Sequence, residues 1–268
     1  MIKVESFSKY YGKFLAVDKI SFHVKEGEVF GFIGQNGAGK TTTIRALLNL
    51  IFKSEGSLII DGLDAATNSK LIKSFTSYVP SEVKYYENYK ARDIFKLSKN
   101  LANSDTDIQA LCTYFDLDQN RTISELSLGN QKKVSIIQAL IKNPRLIILD
   151  EPTSGLDPVI QEKLFKLLLL RKEEGMTIFL SSHNLTEVEK YCDRVLIIKE
   201  GKVVDIFDLN EHRKHSALKV TYKERGKETE EFTFDGKIND LMKSLSKLDL
   251  EELNITKPSL EEYFKKYY

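Results

Sequence analysis

Residues 34 to 41 read GQNGAGKT, three glycines and a Lys-Thr pair in the spacing G-x-x-x-x-G-K-[ST]. That spacing holds a chain of phosphates. Gly34, Gly37 and Gly39 let the backbone wrap closely. With Asn36, Ala38 and Thr42 they offer successive N–H groups, and the start of the following helix points at the same oxygens. Lys40 can reach the β- and γ-phosphates, and the Thr41 hydroxyl can ligate Mg²⁺. The bland alternative is an ordinary glycine turn. A strand pattern before the run and a helix pattern after it leave that alternative little room.

A second set of reactive residues ends the apolar run LIILDE, where Asp150 and Glu151 follow four aliphatic side chains. Ligands of open α/β sheets bind at the carboxyl ends of strands, so Asp150 can hold Mg²⁺ through water. Glu151 is placed to orient or deprotonate an attacking water. His183 closes another apolar run, FLSSH, in the same way. Taken singly, Glu151 reads equally well as a solvated strand-end acid, and a lone histidine is more often structural than catalytic. Three strand ends converging on one sheet edge reverse those odds. Residues 126 to 131, LSLGNQ, add Ser127 and Gly129 at the start of a helical pattern. They look like the beginnings of an anion cradle, with no acid, base or nucleophile among them.

The elements that must position these groups alternate along the chain. GEVFGFIG (27–34), RLIILD (145–150) and MTIFLSS (176–182) read as buried strands. Ile44, Leu47, Leu48 and Ile51 mark an apolar helix stripe after the first, and Asp157-Pro158 opens a leucine-rich helix that ends near Gly175. This rhythm argues a mainly parallel α/β sheet. Residues 84 to 142 break it, reading as an inserted, mostly helical segment. A hairpin follows at Glu200-Gly201. From about 211 the composition turns strongly charged and reads as strand, turn at Arg225-Gly226, strand, helix and a final helix capped by Ser259 and Glu262.

Bulk properties narrow the class. Forty basic against thirty-nine acidic residues give no argument for nucleic acid or an anionic membrane. Cys112 and Cys192 form no C-x-x-C pair and read as apolar fillers in a reducing compartment. No apolar run approaches the length of a membrane span and the N-terminus has no signal-peptide core, so the expected location is cytoplasmic.

With these residues in hand, the chain resembles an ATP-binding subunit of a bacterial ABC transporter over roughly residues 1 to 205. Tyr11 in SKYYGKFLAVDKISF resembles the aromatic that stacks on adenine; LSLGNQ stands at the family's signature, and TSGLD (153–157) at its D-loop. His183 resembles the histidine that contacts the γ-phosphate. The resemblance implies an α/β fold of the P-loop NTPase class, ABC ATPase type. Its parts would be a mainly parallel core sheet, an N-terminal antiparallel β-subdomain, the inserted helical subdomain and a small α+β C-terminal extension. The ATPase domain would span 1–210 and the extension 211–268.

In that family two subunits pack head to tail. Ser127, Gly129 and Asp157 would then serve the ATP bound by a partner ATPase subunit, identical or homologous. ATP and Mg²⁺ are the implied cofactors, an integral membrane permease is the implied further partner, and the location is peripheral on the inner face of the cell membrane. Two departures stand out. Leu128 replaces the signature's first glycine and Asn130 its glutamine. Ser81 occupies the slot of the Q-loop glutamine, with Glu82 after it, and either could offer Mg²⁺ an oxygen. Tyr85, Tyr86 and Tyr89 nearby resemble a surface that docks a permease helix. The YVPSE segment and the ending PSLEEYFKKYY are similar to exporter subunits. A stand-alone ABC ATPase of translation or DNA repair is the competing reading, but such proteins usually carry two ATPase units or a long coiled-coil insertion. A GTPase or kinase is set aside, since SKLD (246–249) is not at a strand end.

Overall fold

Val29–Ile33 (β3), Leu146–Asp150 (β7) and Thr177–Ser182 (β8) are buried along their whole length. Strands with no polar face need both sides of their sheet covered. The computed structural model describes residues 1–211, 218–236, 238–246 and 248–256. In it these three strands join Thr76–Val79 (β6), Arg194–Lys199 (β9) and Lys202–Asp208 (β10) in a six-stranded sheet of order β10-β9-β3-β8-β7-β6. All the pairings from β9 to β6 are parallel. Parallel register brings the carboxyl ends of β3, β7 and β8 to one edge, with Ile33 opposite Ser182 and Asp150 opposite Ser181.

A second, antiparallel sheet is built from Ile2–Tyr11 (β1), Phe14–Val24 (β2), Glu55–Ile60 (β4) and Leu63–Asp64 (β5), in the order β2-β1-β4-β5. Its inward side chains share one core with the parallel sheet. Phe22 of β2 lies among Phe30, Phe32 and Phe179, with ring centroids 5.4 to 6.1 Å apart. Each such ring contributes about 1.5–3 kcal/mol through burial. Helix Lys40–Leu47 (α1) inserts Ile44 and Leu47 into the same cluster. Ser69–Phe75 (α2) leads into β6.

The stretch expected to be helical contains Ala91–Ala102 (α3), Ile108–Tyr114 (α4), a single 3-10 turn at Ile123–Glu125 and Leu128–Ile141 (α5). Helix Pro158–Glu173 (α6) starts as its sequence predicts. Asp157 accepts from the Ile160 N–H at 3.0 Å, and proline fills the first turn. Leu185–Tyr191 (α7) follows β8.

The backbone divides into two units, Met1–Phe207 and Asp208–Tyr268. In the second, Leu218–Glu224 (β11), Thr229–Phe234 (β12) and Leu250–Thr256 (β13) form an antiparallel sheet of order β12-β11-β13. Helix Ile238–Leu245 (α8) packs Leu241 and Leu245 against Val220. Strand β13 is a departure from the sequence reading, which passed from one helix to another there. LEELNIT carries two acids in seven residues and shows no clean alternation; pairing with β11, which sets Ile255 opposite Val220, supplies what local pattern lacks. The final helix expected around Ser259 and Glu262 lies outside the described residues.

Candidate functional site

The glycine-rich run leaves β3 and turns into α1 through Gly39, whose φ of 107° is open to glycine and strained for any other residue. Lys40, buried in the first turn, donates from Nζ to the carbonyls of Gly34 (2.5 Å) and Gln35 (3.3 Å). Thr41 donates its hydroxyl to Asp150 Oδ2 at 2.9 Å, and Ser181 donates to Oδ1 at 2.7 Å. Asp150 is completely buried. Both its oxygens are thus fixed by hydroxyls, one from the first turn of α1 and one from the end of β8, and its carboxyl group is held beside the phosphate loop.

Glu151 has a left-handed backbone, φ 49°, with its N–H donating to Ser181 O at 3.0 Å. For a residue with a Cβ that conformation costs on the order of 1 kcal/mol. Such outliers cluster at functional sites. Its Oε2 lies 2.7 Å from His183 Nδ1; a carboxylate only accepts, so Nδ1 carries the proton. Its Oε1 is buried without a hydrogen-bond partner and stands 3.5 Å from the Lys40 ammonium. The structure therefore brings Lys40, Thr41, Asp150, Glu151 and His183 together.

Around them opens a cleft of about 400 Å³ lined by Tyr11, Phe14, Ala16, Asn36, Gly37, Gly39, Lys40, Thr41, Thr42, Ser81 and Glu151. Ser81 lines it and Glu82 does not. Glu82 borders a neighbouring hollow beside Leu128, Gln131 and Gly155. Two features escape a reading of the sequence, one lining the cleft and one the neighbouring hollow. Phe14 pairs directly with Tyr11 across the β1–β2 turn and is two-thirds exposed. Lys132 of α5 is buried and donates to the carbonyls of Pro80 (2.7 Å) and Ser81 (3.0 Å). Burial lowers its pKa to about 8 against the opposing pull of Asp150 and Glu151. A lysine among the buried positions of an apolar helix was the available signal.

Ser127, Gly129 and Asp157 do not line this cleft. Ser127 caps α5, accepting from the Asn130 N–H at 3.3 Å, and is exposed, as are Asp157 and Leu128 (81% exposed). Gly129 has a steric reason of its own. A Cβ there would stand 2.5 Å from the Gly155 carbonyl, so the start of α5 and the TSGLD turn meet backbone to backbone.

A family model described as "ABC transporter" matches residues 17–154. An uncharacterized ABC transporter ATP-binding protein of Methanocaldococcus jannaschii is 41% identical over 210 residues, 76% of each chain. The bacitracin transport ATP-binding protein BcrA of Bacillus licheniformis is 32% identical across 99% of this chain and 96% of its own. Among solved structures, an ATP-binding subunit of an ABC transporter superposes with a TM-score of 0.74 at 29% identity, over 80% of this chain and 92% of the other. The chain belongs to the ABC transporter family, as an ATP-binding and ATP-hydrolysing subunit.

Proposed function

We propose that this chain powers export through a separate membrane permease, hydrolysing Mg²⁺ATP held between two ATPase subunits packed head to tail. The observation that carries the reading is the Lys40–Glu151–His183 cluster set beside the Thr41–Asp150 pair. Tyr11, with Phe14 opposite, would stack the base. The loop from Gly34 through Asn36, Gly37, Ala38 and Gly39 to Thr42 would wrap the phosphates, and Lys40 would hold their far end.

The donor set suits Mg²⁺. Thr41 and Asp150 supply hard oxygens 2.9 Å apart. No cluster of three or more His, Cys, Asp or Glu capable of caging a metal occurs among the described residues. Mg²⁺ characteristically takes one or two protein oxygens and completes its shell with water and phosphate. When bound it neutralises charge on the β- and γ-phosphate oxygens. Ser81, which lines the same cleft, would offer a further oxygen.

Glu151 would accept the proton of the attacking water. Its Oε1 is buried, unbonded and beside Lys40, and its Oε2 is steadied by His183. His183, bonded through Nδ1, keeps Nε2 for the γ-phosphate. Ser127, Gly129 and Asp157 would cover the γ-phosphate of the partner's ATP, which accounts for their standing outside the cleft of their own chain.

Similarity to a bacitracin transport ATP-binding protein along nearly the whole chain supports transport work over a stand-alone role in translation or repair. No helix among the described residues is long and apolar enough to cross a membrane, so we place the chain peripherally on the inner face, against a permease. A groove of about 420 Å³ between β6 and helices α3 and α5 suits that contact, with Tyr86 and Tyr89 exposed nearby and their rings 5.9 Å apart. Tyr85 does not share that exposure. Its hydroxyl donates to Gln138 Oε1 at 2.6 Å, which packs it on its own subdomain. Copurification of the membrane-extracted complex, followed by identification of every chain, would contradict the reading if no permease accompanied the ATPase.

The chemistry has a sharper test. Glu151→Gln keeps shape and loses charge, so ATP binding should hold within about twofold while turnover falls roughly a hundredfold, the scale of a lost general base. Near-normal turnover would remove Glu151 from the role.

A further inference from the structure

Behind the cluster sits a carboxylate that the hydrolytic scheme does not use. Glu187, in the first turn of α7, is 8% exposed. Three side chains donate to it: Thr153 Oγ1 to Oε2 at 3.2 Å, Ser182 Oγ to Oε2 at 3.3 Å and Asn184 Nδ2 to Oε1 at 3.1 Å. Burial pushes its carboxyl upward, with the Thr153, Ser182 and Asn184 bonds opposing. The ordinary reading of a glutamate three residues into a helix is a capping box, in which it reaches back to the N-cap N–H. That reading fails here, because the Ser182 hydroxyl takes the Asn184 N–H at 3.0 Å. Glu187 is left free to face the turn after β7.

The donors identify what the carboxylate joins. Thr153 opens the TSGLD turn, whose backbone is held from the other side by Gln161 Nε2, bonded to the carbonyls of Thr153 (3.3 Å) and Leu156 (2.9 Å). Ser182 and Asn184 flank His183. A buried carboxylate thus ties the segment that would touch the partner's nucleotide to the histidine that would touch the chain's own. We infer that Glu187 is a positioning residue that locks the TSGLD turn to the His183 segment, so that the two segments move as one when a partner subunit closes. The inference rests on the hydrolytic reading proposed above.

The test uses the full chain and three variants: Glu187→Gln, Thr153→Val and the two combined. ATP affinity is measured by titration, and hydrolysis in a single turnover at protein concentrations that favour pairing. Affinity should stay within about twofold of wild type. Each single variant should lose at least ~10-fold in rate, the scale of a misplaced catalytic group. The double variant should be no slower than the slower single one, because the two changes break one shared contact. Wild-type rates in the single variants, losses that multiply in the double, or affinity that falls in step with rate would each overturn the inference. If Glu187→Gln does not fold, Thr153→Val decides alone, and an unchanged rate in it overturns the inference. Glu151→Gln runs alongside. A wild-type rate there removes the hydrolytic reading itself, whereas an inactive Glu151→Gln beside a full-speed Glu187→Gln removes only the role given to Glu187.

Discussion

Tyr11 and Phe14 face each other across a two-residue turn, and both rings border the nucleotide cleft. A base stacked on an aromatic side chain typically loses about 1–3 kcal/mol when that side chain becomes alanine, so Tyr11→Ala and Phe14→Ala should each raise the Kd for ATP roughly tenfold. Because any purine has a π-face, GTP should compete nearly as well. A titration in which GTP is strongly excluded would require a base-edge contact beyond these two rings. Only one of the pair was visible in the sequence. Tyr11 is marked by its resemblance to the family's adenine-stacking residue, while Phe14 gains its place through the pairing register that the Gly12-Lys13 turn imposes. Asp150, Glu151 and His183 were legible for a different reason: each stands at the carboxyl end of a buried strand, and parallel pairing brings such ends to one edge. The hydroxyls of Thr41 and Ser181 that fix Asp150 lie 109 and 31 residues from it. Thr41 was legible from its motif, whereas Ser181 carries no local sign of its role.

Helix α5 shows what spacing alone leaves out of an element. By its spacing, Gly129 belongs to an anion cradle with Ser127. Its contact with the Gly155 carbonyl shows that glycine is also demanded by packing, which no motif spells out. One turn later Lys132 crosses to the carbonyls of Pro80 and Ser81, so this helix grips the segment that stands in the Q-loop position. The buried ammonium carries a pH signature. Its pKa falls from the usual 10.5 to about 8 in the folded chain. Between those two values the unfolded chain binds more protons, so this side chain's contribution to stability rises with pH through that window and is flat below it. Urea unfolding of wild type and Lys132→Met across that range should show wild type gaining stability on the variant above about pH 8. Wild-type stability that stays constant relative to the variant, or falls against it, would contradict the assignment. Strand β13 was illegible for the complementary reason: its acids obscure the alternation, and only its pairing with β11 makes it a strand.

At the scale of the whole molecule, the order of motifs along the first unit declared both fold and family. The charged second unit declared neither. It holds its own small core around Val220, Leu241 and Leu245. We read it as an accessory to the ATPase, so a chain ending at residue 210 should still bind Mg²⁺ATP; failure to bind would make the extension part of the core. On the proposed reading, two chains share each ATP. Ser127→Arg adds bulk at an exposed helix cap outside the chain's own cleft, so monomers of it should bind ATP almost normally yet fail to close a dimer. Lys40→Ala should weaken binding in its own cleft while leaving its signature usable. Mixed, the two defective chains can assemble one composite site from Lys40 of one and Ser127 of the other. The decisive measurement is ATP-dependent dimer formation, by size-exclusion chromatography with light scattering, in a Glu151→Gln background that suppresses hydrolysis. Sharing in trans predicts dimers in the mixture and in neither variant alone. Loss of ATP binding by Ser127→Arg monomers would contradict it, because the signature would then serve the nucleotide of its own chain.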